Sequence, residues 1–188
     1  MFQRISTALP AALLAVCMAA PAAAETGLYG GVQYTYFDLS EEGVDDDALF
    51  DGLGVRLGYQ LSDIVGVELR TGTGLGTDDV DIGTLGFRAE VELDYYAGAY
   101  VRAGYPVSET VSAYAIAGFT HAEFSSELLG ANLTLDIDLV DSESDVSYGL
   151  GIDVTANEDI TLNLEVMRYM DTGDIKIDGA SFGMSFRF

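Results

Sequence analysis

Every second residue between Ala180 and Phe188 is apolar. The apolar positions are Ala180, Phe182, Met184, Phe186 and Phe188, and between them lie Ser181, Gly183, Ser185 and Arg187. Because successive side chains of a β-strand point to opposite faces, this pattern predicts a strand with one apolar face and one polar or small-residue face. A sheet built from such strands needs a different environment on each side.

The N-terminal segment has the features of a secretory signal peptide over residues 1–24, and we expect residues 25–188 to form one domain. Arg4 supplies a positive n-region, residues 5–20 an apolar h-region, and Ala22–Ala24 a cleavage site of small residues.

A retained membrane helix is the less favoured interpretation of this segment, since its apolar run is short and contains Pro10. A lipoprotein signal ending at Cys17 is weaker still, because Val16 is too bulky for the position before the cysteine. The sequence has one cysteine, Cys17, which leaves with the signal. The mature chain is therefore expected to lack disulfides, thiolate nucleophiles and cysteine metal sites.

The composition combines high apolar content with strong acidity. The chain is 49% hydrophobic with 11 Tyr and 9 Phe, yet its formal net charge is −23. Disordered acidic chains are poor in aromatic and β-branched residues, so the apolar and acidic residues of this chain must occupy separate zones. After the signal no stretch approaches 18 consecutive apolar residues, which excludes a transmembrane helix. The missing basic patches argue against nucleic-acid binding.

Strand patterns recur throughout the rest of the chain, without a convincing helical period between them. The predicted strands span residues 27–37, 49–61, 64–73, 89–104, 111–124, 146–155, 160–170 and 179–188. Short connections at 62–63, 106–110 and 157–159 alternate with longer acidic ones near 38–48, 74–88, 125–145 and 171–178. Short turns on one rim and long loops on the other are typical of bacterial outer-membrane barrels.

Alternation alone does not say which face of the sheet points outward, because a soluble lipocalin-like barrel carries its apolar residues inside. Glycine distinguishes the two orientations, since it weakens a strand unless a neighbour needs the space. Glycines share the face of the charged residues at positions 31, 52, 54, 58, 66, 72, 98, 104, 149, 151 and 183. Inside an eight-stranded barrel such small residues make room for Arg, Glu and Tyr. We therefore predict that the polar face is inside.

The outward face then carries no charge over its apolar band. It comprises Val65, Val67, Leu69, Val91, Leu93, Tyr95, Ala97, Ala99, Val101, Val146, Tyr148, Leu150, Ile152, Val154, Ile160, Leu162, Leu164 and Val166. Tyr34, Tyr36, Tyr59, Tyr95, Tyr148 and Phe188 are candidates for interfacial aromatic girdles. The facing of strand 111–124 stays open. Arg168 has outward parity, and we expect it at the outer rim rather than turned inward by a β-bulge.

Charged residues of inward parity form the candidate site. We predict a lumenal network of Arg56, Glu68, Arg70, Glu92, Asp94, Arg102, Asp153 and Glu165, with Arg187 sharing the same parity. Charges in so narrow a space must pair, because an isolated buried ion costs several kcal/mol. A salt-bridge network that fills the barrel is the favoured interpretation, and a narrow ion or proton path through the same charges is the alternative.

The long connections are acidic enough to suggest divalent cations, since Ca²⁺ and Mg²⁺ prefer oxygen ligands. The acids include Asp45–Asp47, Asp78, Asp79, Asp136 and Asp138, but no segment has the ligand spacing of an EF-hand loop. A solvated acidic surface is the favoured interpretation, and we predict no cofactor. The alternation from Leu133 to Leu139 predicts that the fifth and sixth strands continue as a hairpin, with an edge either open to a partner strand or covered by another loop.

His121, the one histidine, lies near Glu123, Ser125 and Ser126 and is a candidate for acid–base chemistry. This group is similar to the His-x-Ser arrangement of outer-membrane lipid A deacylases. In those enzymes the arrangement lies near the end of the chain, whereas here more than sixty residues follow it. Position 123 is also Glu rather than Ser. A histidine that faces solvent or lies at the rim is the favoured interpretation.

Residues 25–188 as a whole resemble the OmpA/OmpX-like family of small outer-membrane β-barrel proteins, also described as a porin family. The likeness rests on the signal, the segment layout, the inward Gly, Glu and Arg residues, and the terminal segment 182–188. It implies an all-β, eight-stranded antiparallel up-and-down transmembrane β-barrel, exported through the periplasm to the Gram-negative outer membrane. Without a peptidoglycan-binding domain after the barrel, the anchoring role of longer OmpA proteins is not expected.

The same resemblance implies the partners and the function. Outer-membrane lipid and lipopolysaccharide would surround the barrel, and the barrel-assembly machinery would recognise Phe182, Met184, Phe186 and Phe188 during insertion. We expect a monomer that does not bind nucleic acid and is not an enzyme, with a structural, adhesive or protective role. A narrow ion-conducting channel is the alternative, and a lipid-modifying enzyme is third.

Overall fold

The computed structural model describes residues 27–41, 48–82, 87–130, 133–173 and 175–188. The side chains of residues 41, 48, 77–92 and 126–141 lie outside this description, as does the predicted signal peptide. Among the described residues no helix is long and apolar enough to cross a membrane.

The described residues form antiparallel strands that occupy most of the chain. They are β1 (Leu28–Glu41), β2 (Ala48–Gln60), β3 (Val65–Gly74), β4 (Thr77–Ile82), β5 (Phe87–Pro106), β6 (Val111–Gly130), β7 (Leu133–Thr155), β8 (Ile160–Asp171) and β9 (Ile175–Arg187).

Eight of these strands close into the predicted barrel. Each of the eight pairs with the barrel strands next to it in the chain, and β1 pairs with β9 to close the barrel. Strand β3 pairs with the C-terminal part of β5, from Tyr96 to Ala103. The remaining strand, β4, pairs with the N-terminal part of β5, from Thr77 opposite Glu92 to Ile82 opposite Phe87. The prediction of a loop over 74–88 is therefore partly wrong, because most of that segment forms a hairpin arm above the barrel.

The two rims differ as the sequence predicts. Tight turns at one rim are closed by backbone bonds from Leu61 N to Val65 O (2.9 Å) and from Val107 N to Val111 O (2.8 Å). At the other rim β6 and β7 run for 20 and 23 residues, well beyond the roughly 9–11 residues that a tilted strand needs to span a bilayer. The predicted hairpin extension is confirmed, since Ser126 pairs with Leu139 and Gly130 with Leu133.

Burial alternates along the strands in the predicted sense. Inward residues such as Gln33, Arg56 and Glu165 are buried, whereas Leu150 is 63% exposed on the outer wall. Strand β6, whose facing the sequence leaves open, follows the same rule: Tyr114 and Ile116 point inward, and Ala115, Ala117 and Phe119 point outward.

A β-bulge between Leu93 and Tyr95 overturns two predictions. Leu93, predicted on the outer face, is only 3% exposed and belongs to the interior. Asp94, predicted in the lumen, is exposed and accepts a hydrogen bond from the Ser125 hydroxyl. The extra residue shifts the parity of the strand, so that Leu93 and Tyr96 point inward with Asp94 and Tyr95 between them.

A second bulge follows Arg168 and puts both Tyr169 and Met170 inside the barrel. Arg168 itself stays on the outer face, as predicted. Its guanidinium donates to both Asp178 carboxylate oxygens at 2.8 Å and to Asp171 at 3.0 Å.

Candidate functional site in the barrel lumen

Charged side chains from five strands meet inside the barrel. Arg56 comes from β2, Glu68 and Arg70 from β3, Arg102 from β5, Asp153 from β7 and Glu165 from β8. Each stands at an inward position of its strand, and closure of the sheet with this stagger of the strands brings them together across the lumen. We call these six residues the ionised layer.

Arg70 is the central cation of the ionised layer, and its side chain is fully buried with both of its partners. Its guanidinium donates to the two Glu165 oxygens at 2.6 and 2.9 Å and, through Nε, to Glu68 at 2.8 Å. Tyr114 also donates to Glu165, at 2.9 Å. The two-pronged contact with Glu165 is the strongest geometry for an Arg–carboxylate pair.

Arg102 extends the ionised layer toward the tight-turn rim. It donates to Glu68 at 3.1 Å and to Asp153, and its guanidinium lies 3.8 Å from the centre of the Tyr114 ring. Tyr29 adds a hydrogen bond to Glu68 at 2.6 Å. Three arginines thus face three carboxylates, and the ionised layer carries no net charge.

Arg56 differs from the other two arginines, because within the described chain it has no ion pair with a carboxylate. Its Nη2 donates to Gln33 Oε1 at 2.7 Å and to Asn163 Oδ1 at 2.9 Å. Its Nε and Nη1, together with Asn163 Nδ2 and Asp153 Oδ1, are buried without a hydrogen-bond partner among the described protein atoms.

Inward glycines make room for these side chains, as predicted. A Cβ at Gly58 or Gly151 would overlap the ring of Tyr29 or Tyr114, respectively. The residues that contact the arginines would otherwise have no space in so narrow a barrel.

Between the ionised layer and the long-loop rim, which we call the region above the ionised layer, the lumen is filled by uncharged side chains. A polar belt joins Thr35 to Ser181 (2.9 Å) and Thr120 to Ser147 (2.6 Å). Above the belt lies an apolar layer of packed side chains, with ring centroids 5.2 to 5.9 Å apart among its aromatic residues. The apolar layer comprises Phe37, Phe50, Leu93, Tyr96, Tyr169, Met170 and Ile177.

The eight residues of the predicted network are not all found together. The structure brings Arg56, Glu68, Arg70, Arg102, Asp153 and Glu165 together, whereas Asp94 lies outside the lumen and the Glu92 side chain is outside the described residues. Arg187 is exposed at the tight-turn rim. Sequence reasoning did not assign Tyr29, Gln33, Tyr114 and Asn163 to the network. Tyr29 and Gln33 share the inward parity of Gly31, and Asn163 shares that of Glu165, whereas the facing of Tyr114 was left open.

His121 lies on the outer wall near the long-loop rim, as predicted. Its Nδ1 is 2.8 Å from Ser144 Oγ, its cross-strand neighbour, and its Nε2 is 3.9 Å from Glu123, too far for a hydrogen bond. The Glu123 carboxylate accepts instead from Tyr95 at 2.9 Å. The sequence did not point to Ser144, because it is brought to His121 only by strand pairing.

Within the described residues no group of three His, Cys, Asp or Glu side chains is placed to hold a metal ion. Most of the acidic positions proposed for divalent cations, such as Asp45–Asp47 and Asp136, lie outside the described side chains.

The sequence matches the family model described as "Outer membrane protein beta-barrel domain" over residues 8–188. The chain belongs to this family of outer-membrane β-barrel proteins. No curated protein is significantly similar in sequence.

Solved structures of small outer-membrane barrels share the fold. The attachment invasion locus protein Ail of Yersinia pestis has a TM-score of 0.61 at 16% identity, over 86% of this chain and 99% of Ail. Neisserial surface protein A has a TM-score of 0.59 at 15% identity, over 86% of this chain and 97% of the other. OprG from Pseudomonas aeruginosa has a TM-score of 0.56 at 16% identity, over 86% and 94%.

Membership of this family places the barrel in the Gram-negative outer membrane. The exposed wall residues Leu69, Leu150, Leu164 and Val166 then face lipid, and the ionised layer lies within the barrel at membrane depth. Phe182 and Phe186 of the predicted assembly signal are exposed on this wall, whereas Met184 and Phe188 are half-buried.

Proposed function

We propose that this protein is a non-conducting, non-catalytic outer-membrane barrel that presents acidic loops at the cell surface in a structural, adhesive or protective role. The main support is the way the lumen is filled. The ionised layer is charge-balanced, and the apolar layer closes the barrel between it and the long-loop rim. An ion entering from that side would have to cross buried aromatic and methionine side chains without solvation.

Planar-bilayer recording tests this proposal against the alternative of a narrow channel. We expect no steady unitary current from the wild type. A variant with Phe37→Gly and Tyr169→Gly, which removes two large side chains from the apolar layer, is the positive control and should leak. Steady wild-type currents that Arg102→Ala abolishes would refute the non-conducting role.

The role of the loops rests on their composition. Acids such as Asp45–Asp47 give the long-loop rim a strong negative charge, which divalent cations would bridge to lipopolysaccharide phosphates. Replacing these three residues with Asn should reduce both the negative electrophoretic mobility of intact cells and its response to added Mg²⁺. A mobility identical to wild type at every Mg²⁺ concentration would show that these acids do not bind divalent cations at the cell surface.

Catalysis and export have separate tests. We expect unchanged lipid A mass spectra in cells with and without the gene, and a new lipid A species would favour the enzyme. N-terminal sequencing of the protein from outer membranes should begin at Glu25, and retention of residues 1–24 would contradict export by signal cleavage.

A further inference from the structure

Four polar atoms that lack partners lie close together between β2, β7 and β8. Arg56 is 1% exposed and Asn163 2% exposed, and the Arg56 guanidinium already touches Asn163 through Nη2. Asn163 stands directly opposite Asp153 in the β7–β8 ladder, so their side chains lie side by side. The unpaired set is three donor atoms, Arg56 Nε, Arg56 Nη1 and Asn163 Nδ2, beside one acceptor, Asp153 Oδ1. A fifth buried atom without a partner among the described side chains, Tyr169 Oη, belongs to the apolar layer and not to this set.

A polar vestibule reaches this group from the tight-turn rim. It has a volume of about 530 Å³, and its lining includes Tyr29, Arg102, Asp153, Thr161, Ser185 and Arg187. Asp153 belongs to both the vestibule and the unpaired set, and Thr161 is two residues from Asn163 on β8. In an outer-membrane barrel the tight turns face the periplasm, so the vestibule opens there.

We propose that Arg56, Asn163 and Asp153 hold buried water that enters from the periplasm, and that this water stops below the apolar layer. One water accepting from Arg56 Nη1 and Asn163 Nδ2 and donating to Asp153 Oδ1 makes three hydrogen bonds, the usual number for a buried water. Because the three arginines and three carboxylates balance, a neutral occupant fits this site better than an anion does.

The lumen is then wet on one side only. The polar belt on the side of the long-loop rim has its hydroxyls paired with one another, as in the Thr35–Ser181 and Thr120–Ser147 contacts. Beyond the belt, Tyr169 Oη is the one described side-chain atom that is buried without a partner, and a single atom is too few to hold a buried water. This inference goes beyond the proposed function, because a closed lumen requires neither a hydrated inner half nor a dry outer half.

Two serines on β9 provide a matched test. Ser185 lines the vestibule, whereas Ser181 is buried against Thr35, and both point inward four residues apart. The sequence has one cysteine, Cys17, within the predicted signal peptide, so Ser185→Cys and Ser181→Cys would each give the mature full-length chain a single thiol. Both variants are inserted into lipid vesicles, and folding is verified by migration on gels without boiling.

A membrane-impermeant thiol reagent added to the periplasmic side should label Ser185→Cys and leave Ser181→Cys unlabelled until the barrel is unfolded in urea. Rapid labelling of folded Ser181→Cys, or no labelling of folded Ser185→Cys, would overturn the one-sided inlet. A crystal structure of the wild type should show water bonded to Asn163 Nδ2 and Asp153 Oδ1. An anion there, or direct protein partners for all four atoms, would overturn the water site.

Discussion

Arg70→Met is the sharpest test of how the ionised layer stabilises the barrel. The side chain of Arg70 is fully buried and holds both Glu68 and Glu165. Methionine has a similar length and no charge, so the substitution removes the cation while most of the volume stays filled. Glu68 keeps its contacts with Arg102 and Tyr29, whereas Glu165 keeps only the Tyr114 hydroxyl among its described partners.

The loss therefore falls mainly on Glu165, which becomes a buried carboxylate without a countercharge in contact. Removing one partner of a buried ion pair costs about 3–5 kcal/mol, and we expect Arg70→Met to lower the free energy of unfolding by that amount. Adding Glu165→Gln removes the unpaired charge and should restore part of the loss. The two substitutions should therefore be strongly non-additive, as expected for residues in one network.

Urea unfolding in lipid vesicles, with the folded fraction read from gel migration without boiling, measures these free energies. Arg187→Met is the matched control, since Arg187 is exposed at the periplasmic rim and its loss should change stability by no more than about 0.5 kcal/mol. A cost for Arg70→Met as small as that of Arg187→Met, with no coupling to Glu165→Gln, would refute a stabilising role for the network.

Two further predictions concern packing and the lipid-facing wall. Gly151→Ala should destabilise by about 1–3 kcal/mol, because its Cβ would overlap the Tyr114 ring. Gly104→Ala, whose Cβ would meet nothing nearer than 3.9 Å, should be nearly neutral in the same unfolding assay, and equal costs would remove the space argument. Leu150→Arg should cost about 2–4 kcal/mol in vesicles and Leu61→Arg, in a periplasmic turn, at most about 1 kcal/mol. A reversed order would mean that Leu150 does not face hydrocarbon.

The facing of the strands could be predicted from the sequence because glycine and charge share one parity and a small barrel leaves only one place for both. The prediction failed at Leu93 and Asp94, where a bulge adds a residue without altering the local alternation in any recognisable way. The pairing of Arg70 with Glu165 was also out of reach. Which inward residues meet across a barrel depends on the stagger of the strands, and the sequence does not state that stagger.

The apolar layer was missed for a different reason. The sequence argument assigns polar residues to the lumen, but this holds only where the outer wall faces lipid. Toward the long-loop rim the outer face meets water, so apolar residues move inside: Phe37 and Ile177 are buried, whereas Lys176 is exposed and Asp178 partly exposed. The alternation of inward and outward side chains continues without a break along β1 and β9. Whether the inward side chains are polar or apolar depends on whether the outer wall at that height meets lipid or water.

Quenching of single tryptophans by brominated lipids tests the orientation of the wall most directly. The sequence contains no Trp, so Leu164→Trp on the outer wall and Tyr100→Trp in the lumen each give one signal. In vesicles of brominated lipid, the fluorescence of Leu164→Trp should be strongly quenched and that of Tyr100→Trp should persist. Strong quenching of Tyr100→Trp with protection of Leu164→Trp would show that the apolar face points inward and would contradict the account.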